Sequence, residues 1–247
     1  MDANGKVTPS QVSPWDFRSV FHRRTEAVRH FPMFSEISPE DCTAIVASAQ
    51  ERQIQRGKTI FFQGDPVTHV VLLTSGCVKL SQTGADGQEV ILRLVASGEC
   101  VNAENCTKCA THCSTARALE PSRALVWEAR TFEAMADRFP LLRRNTSRDL
   151  QRLMNQLEDR YREVCTQKVP LRLSSELVRL AARVGKPSDG HVEIAISQRE
   201  LAQLTGTTLF TVSRLLCQWA VRGIVKPRRE AVVVLNVPAL VELSQCE

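Results

Sequence analysis

The chain has 247 residues, 43% hydrophobic and 24% charged, with a formal net charge of +5. This is an ordinary globular composition, long enough for two modest domains, and the mild basic excess is compatible with a nucleic-acid partner without requiring one. No apolar run approaches the roughly 18 residues of a membrane span, and the first residues lack an apolar signal core, so a cytoplasmic protein with no membrane partner is expected.

Residues 1 to about 25 are polar, without a sustained period, and read as a flexible leader. Ser38-Pro39-Glu40-Asp41 is a helix start, with an N-cap, proline in the first turn and acids facing the dipole. That helix is expected to run to about Gln50 and bury Cys42, Ile45, Val46 and Ala49. From Gln53 to about Val126 short apolar runs alternate with turn signals. Thr59-Ile60-Phe61-Phe62, Val70-Val71-Leu72-Leu73, Cys77-Val78-Lys79-Leu80 and Val90-Ile91-Leu92-Arg93-Leu94 are the runs. Arg56-Gly57, Gly64-Asp65-Pro66, Ser75-Gly76, Asp86-Gly87 and Ser97-Gly98 are turns between and beside them. The pattern predicts a small antiparallel barrel or roll.

Arg130 to Phe139 reads as a helix that stops at Pro140. A long helix follows from about Leu141 to Lys168. Leu142, Leu150, Leu153, Met154, Leu157, Tyr161 and Val164 form a narrow apolar stripe on it, which predicts a two-stranded coiled coil between subunits. Packing on its own domain is the alternative. Pro170 ends that helix, Leu171 to Val184 forms another, Gly185 to Gly190 reads as a turn, and His191 to Ile196 alternates as a strand does.

Ser197-Gln198-Arg199-Glu200 is a capping box opening a short helix to Leu204. Thr205-Gly206-Thr207 is a turn. A second helix runs from about Thr208 to Val221, with Val212, Leu215, Leu216 and Trp219 at core spacing. Short helix, glycine turn and longer helix make a helix-turn-helix, whose second helix offers its first residues to base edges. The candidate DNA contacts are Gln198, Thr207, Thr208, Leu209, Phe210, Ser213 and Arg214. Arg214 suits guanine O6 and N7. Arg214, Arg222, Lys226, Arg228 and Arg229 provide a phosphate footprint, and Ile224 to Leu235 reads as a hairpin wing.

This order of elements resembles the CRP/FNR family of transcription regulators from about Arg24 to Leu243. The resemblance rests on Arg56-Gly57-Lys58-Thr59-Ile60-Phe61, Gln63-Gly64-Asp65, Ser75-Gly76-Cys77-Val78-Lys79-Leu80, Asp86-Gly87-Gln88-Glu89 and Gly98-Glu99 in the roll. In the reader it rests on Ile196-Ser197-Gln198-Arg199-Glu200-Leu201-Ala202 and Thr211-Val212-Ser213-Arg214-Leu215-Leu216. It implies an α+β fold: an antiparallel β-roll sensor over 26–140, a dimerisation helix over 141–168 and a winged helix-turn-helix over 169–247. It also implies a homodimer on a palindromic operator in double-stranded DNA, with RNA polymerase as a further partner. Family members usually carry Glu three positions before the Ser-Arg pair. Phe210 stands there, and a phenyl ring cannot accept from cytosine N4 but can touch a thymine methyl, so a shifted half-site is expected.

Cyclic-nucleotide members have a cassette that opens with Gly-Glu and closes with Arg-Ser or Arg-Thr, its arginine neutralising the phosphate. Here Gly98-Glu99 is kept, but Cys113-Ser114 stands at the close. The bidentate phosphate contact is lost unless Arg117 or Arg123 replaces it. The segment is filled instead by Cys100, Cys106, Cys109 and Cys113, four of the chain's nine cysteines. In a reducing compartment such a cluster points to a metal or redox site. Four thiolates suit an iron–sulfur cluster, in particular 4Fe-4S, and also suit zinc; a thiol–disulfide switch needs only two. His112 is a candidate replacement ligand. The resemblance favours the iron–sulfur cluster, sensing redox state, oxygen or nitric oxide, with a small-molecule effector such as a cyclic nucleotide as the alternative. The sequence holds no Ser-His-Asp context, P-loop or dinucleotide fingerprint, so an enzyme is not expected.

Overall fold

The computed structural model describes residues 24–102 and 111–245. A 3-10 turn over Pro32–Phe34 precedes helix α1, Pro39–Ala47, whose Ser38 hydroxyl accepts from the Asp41 amide as an N-cap. Seven strands follow: β1 Gln50–Ile54, β2 Thr59–Phe61, β3 His69–Ser75, β4 Val78–Thr83, β5 Glu89–Val95, β6 Thr115–Ala118 and β7 Ser122–Glu128. They form two antiparallel sheets, ordered β1-β7-β3 and β2-β6-β4-β5. Helix α1 is shorter than the sequence suggested, because Gln50 already pairs with Val126 in the first sheet.

Alternation along β3 and β7 builds two cores at once, since neighbouring residues point to opposite faces. Val71, Leu73, Ala124 and Val126 point into the roll, joining Val78, Leu80 and Ala116. Val70, Leu72, Leu125 and Trp127 point outward and pack against Phe34, Ile45, Phe132 and Leu142. Trp127 is fully buried, and its indole N–H donates to the Ile45 carbonyl at 2.9 Å, which ties α1 to the sheet. Gly76 turns β3 into β4 at φ +93°, where the Ser122 backbone passes so close that a Cβ would sit 2.7 Å from its Cα. Only glycine satisfies both demands.

Helix α2, Ala129–Arg138, leads into α3, Pro140–Thr166, which has 27 residues. Its two halves behave differently. Leu142, Asn145, Thr146 and Asp149 are buried, and the Asn145 amide donates to the Met33 and Ser35 carbonyls. Further on, Met154, Leu157, Tyr161 and Val164 are exposed, Tyr161 at 73%. The single stripe read from the sequence is therefore split, its start serving the roll and its later part left bare.

The remaining elements are α4 Val169–Arg183, β8 Lys186–Ser188, β9 His191–Ile194, α5 Gln198–Thr205, α6 Leu209–Val221, β10 Val225–Pro227, β11 Val232–Val234 and α7 Val237–Leu243. The last four strands form a sheet ordered β10-β11-β9-β8, with β10 and β11 as the expected wing. Two elements of this half were not foreseen. The segment read as a turn pairs Lys186–Ser188 with β9, and α7 closes the chain behind an Asn236 cap. The core of this half includes four residues of the roll, Cys77, Ile91, Leu94 and Leu119, so the reader docks on the roll through a shared apolar cluster. No helix among the described residues is long and apolar enough to cross a membrane.

Candidate nucleic-acid interface and sensor segment

The reader is assembled by local signals. The Ser197 hydroxyl accepts from the Glu200 amide, and the Glu200 carboxylate accepts from the Ser197 amide at 2.9 Å. This reciprocal pair satisfies two donors that the helix start leaves open. Gly206 ends α5 in the left-handed region at φ 61°. Thr208 then caps α6, its hydroxyl accepting from the Thr211 amide at 3.2 Å. Val212, Leu215, Leu216 and Trp219 are buried, which fixes the rotation of α6 about its axis.

That rotation leaves Leu209, Phe210 and Arg214 exposed at the start of α6, Phe210 at 81%, while Ser213, Thr207 and Gln198 are half-buried. Of the predicted contacts, Leu209, Phe210, Ser213 and Arg214 share the outward side of the first turns of α6, with Thr208 engaged as its cap. Arg222, Lys226 and Arg229 are exposed nearby, whereas Arg228 is paired with Glu193 at 2.6 Å. A recognition helix with an open N-terminal face, flanked by a wing and exposed cations, is the geometry of a major-groove reader.

A model of the cyclic nucleotide-binding domain matches residues 51–139, and a model of the Crp-like helix-turn-helix domain matches residues 171–243. The two together take in more than half of the chain. The chain belongs to the CRP/FNR family. Such regulators bind DNA and typically act as dimers, and this chain is a DNA-binding transcription regulator of CRP/FNR type. It is 28% identical to the cyclic AMP receptor protein of Thermus thermophilus, over 86% of this chain and 96% of that one. It is 25% identical to a CRP-like cAMP-activated global transcriptional regulator of Mycobacterium tuberculosis, over 82% of this chain and 91% of that one. FixK2 from Bradyrhizobium japonicum shares the fold at a TM-score of 0.70 and 20% identity, covering 81% of this chain and 98% of that one. The α+β architecture of roll, long helix and winged reader is therefore that of CRP/FNR proteins.

Among the described residues, the cassette positions named from the sequence do not all line one cavity. Glu99 does not line the cavity beneath α3. Its carboxylate takes Arg183 of the reader at 2.8 and 2.9 Å. Arg117 and Arg123 are exposed on β6 and β7 and neither lines that cavity. Cys113 does line it, next to Ser114. The cavity holds about 490 Å³, walled by Leu80, Leu92, Leu153 and Leu157 and rimmed by arginines from the long helix and the reader.

The cysteine segment is pinned at both described ends. Cys100 bridges Leu72, and the Val101 amide donates to the Val71 carbonyl. At the other end Thr111 bridges Pro66, and the His112 amide donates to the Asp65 carbonyl. Cys100 is buried at 4% exposure in the apolar cluster around Trp127, while Cys113 is exposed. Cys106 and Cys109 lie outside the described residues. His112 is buried and stacked on Phe61 with ring centroids 3.6 Å apart, and burial lowers its pKa. Cys77, also buried, sits between roll and reader, where burial raises its thiol to about 12. It is a packing residue in this setting, since the thiolate is the reactive and ligating form.

Proposed function

We propose that this regulator is gated by an iron–sulfur cluster, of the 4Fe-4S type, held by Cys100, Cys106, Cys109 and Cys113. The observation that carries the reading is the placement of Cys113. Its exposed thiol stands where cyclic-nucleotide members need a guanidinium, on the cavity that faces the long helix. The donor set fits the group chemically, because four soft thiolates match iron–sulfur ligation, and the pinned ends give the segment a firm base. When bound, the cluster would supply a centre that redox change, oxygen or nitric oxide can alter. The protein's own part is to hold the two ends of the segment on β3 and the loop before it, and to pass their position to the reader.

The test is anaerobic purification with iron, sulfide and visible absorption assays, combined with DNA binding. Four iron per chain and a change in DNA affinity on brief exposure to air are expected. A colourless protein with stoichiometric zinc would reject the cluster in favour of a zinc site. Cys113→Ala and Cys109→Ala are expected to lose the cluster. Cys100→Ala decides the fourth ligand. Retention of full iron in that variant would give the position to another donor, with His112 the next candidate.

The cavity lining carries five arginines against three carboxylates, Asp159, Glu163 and Glu176, and this excess of positive charge supports a second reading, an anionic small-molecule effector. Calorimetric binding of a cyclic nucleotide to the protein, with DNA binding unaltered in Cys109→Ala, would support it over the cluster.

A further inference from the structure

Among the described residues, strand β5 is the edge of its sheet, with β4 as its strand neighbour. Its pairing with β4 carries a bulge: Leu80 faces Arg93 and Ser81 faces Ile91, so Leu92 is the extra residue. A bulged residue is left without its ladder partners. The Leu92 carbonyl is taken instead by Arg160 of the long helix, whose Nη1 donates to it at 2.6 Å. The Nη2 of the same guanidinium donates at 2.9 Å to the carbonyl of Leu204, in the last turn of α5, the first helix of the reader. Two residues further along β5, the Leu94 carbonyl accepts from Arg183 of the reader at 3.1 Å.

The residue between them reaches the other way. Arg93 Nη2 donates to the carbonyl of Cys100 at 3.0 Å and lies 3.4 Å from that of Val101. Ile91 and Leu94, on either side of the bulge, sit in the reader's own core. One strand thus holds the cysteine segment through a side chain and the reader through its carbonyls.

We propose that Arg160 is the positioning residue that ties the orientation of the reader to the state of the cysteine segment, through the bulge at Leu92. This rests on the reading of that segment as the sensor. A largely buried guanidinium tends to keep its partners, because leaving a mostly desolvated charge unpaired is costly. Arg160 is 20% exposed, with Glu176 at 3.8 Å as its counter-charge. If Cys100 moves, Arg93 shifts β5 and Leu92 moves with it. Arg160 then follows the strand or releases it, and in either case the end of α5 is displaced. Arg172 grips the same helix end through the Thr205 carbonyl, so the displacement reaches the turn before α6.

The experiment uses the full-length, anaerobically prepared protein and two variants, Arg160→Lys and Arg93→Gln. Lysine keeps the charge, but its single ammonium cannot reproduce the two-pronged span between the carbonyls. The first readout is hydrogen exchange. Both variants should deprotect amides across Gln198–Thr205 by about tenfold, as coupled local opening requires. Deprotection by Arg93→Gln that stays within residues 89–101 overturns the coupling. The second readout is the ratio of DNA affinities with the cysteine segment loaded with iron and stripped of it. In Arg160→Lys that ratio should fall to within about twofold of one, with iron content unchanged. A ratio equal to the parent protein's also overturns it. A parent protein with no iron and no such ratio refutes the sensor reading, and the exchange result then decides the coupling alone.

Discussion

Phe210 and Arg214 carry opposite kinds of information about the operator. Arg214 keeps the family's arginine on an exposed helix face, and Phe210 offers an apolar ring at 81% exposure where a carboxylate is usual. Arg214→Ala is expected to weaken specific binding by about 1–3 kcal/mol and relax preference at one base pair. Phe210→Glu should transfer preference toward a half-site with cytosine at the facing position. Selection of binding sites from a random pool, followed by anisotropy titration, checks both. A Phe210→Glu pool identical to that of the parent protein would show that the ring reads nothing. The residue types of this face were legible in the sequence because the capping box and the buried Val212, Leu215, Leu216 and Trp219 fix which side of α6 looks outward. Thr208's cap and the Arg228–Glu193 pair were not foreseen. The cap follows the same pattern as Ser38 and Ser197 and was open to the same reading, whereas the ion pair depends on which strands come to lie side by side.

The long helix α3 is where burial departs most from its one-dimensional pattern. The apolar period runs through Leu142 and Leu157 alike, yet one is fully buried and the other 52% exposed. Periodicity marks a face but cannot say which partner covers it. The exposed part, from Met154 to Val164, fits a second copy of the helix. Leu157→Asp is expected to yield monomers in sedimentation and to lower affinity for a palindromic site at least about hundredfold, because the avidity of two linked readers is lost. Binding to a single half-site should change little. Strands β2 to β5 were legible from glycine turns and short apolar runs, whereas β6, β8 and α7 were not. Lys186-Pro187-Ser188 has the composition of a turn and becomes a strand only because β9 lies beside it. The contacts of Arg160, Arg172 and Arg183 with main-chain carbonyls were equally invisible, since carbonyls have no sequence signature.

Across the whole molecule, roll and reader meet through polar groups as well as the shared core. Lys79 donates to Glu89 and lies 4.0 Å from Glu200 of the capping box, and Gln203 of α5 donates to Glu89 at 3.1 Å. Burial raises the Glu89 carboxyl, but hydrogen bonds from Ser81, Lys79 and Gln203 outweigh it and leave the pKa lowered. A carboxyl lowered in the folded state binds fewer protons there than in the unfolded chain. Its stabilising effect is complete above the ordinary glutamate value near about 4.3 and is lost as pH falls through the folded value. Glu89→Gln should therefore lower the urea midpoint at neutral pH and flatten its decline below about pH 4.3. An acid limb as steep as that of the parent protein would assign the decline to other carboxylates. Arg56–Glu230 at 2.6 Å joins the wing to the roll, and Lys186 pairs with Glu120. Both pairs are more than half exposed on at least one side, so neither contributes much stability.

The burial of Trp127 and Trp219 has a practical consequence. The chain has three tryptophans, and these two stand in different cores, Trp127 in the packing of the roll with its helices and Trp219 in that of the reader. Each half thus carries its own intrinsic fluorophore, shielded from quenching by water. With Trp15 and one core indole replaced by phenylalanine, emission would follow one half at a time during unfolding. Coincident curves would mean that the shared cluster around Ile91 and Leu94 welds the two into one cooperative unit. Separated curves would time how soon the reader lets go.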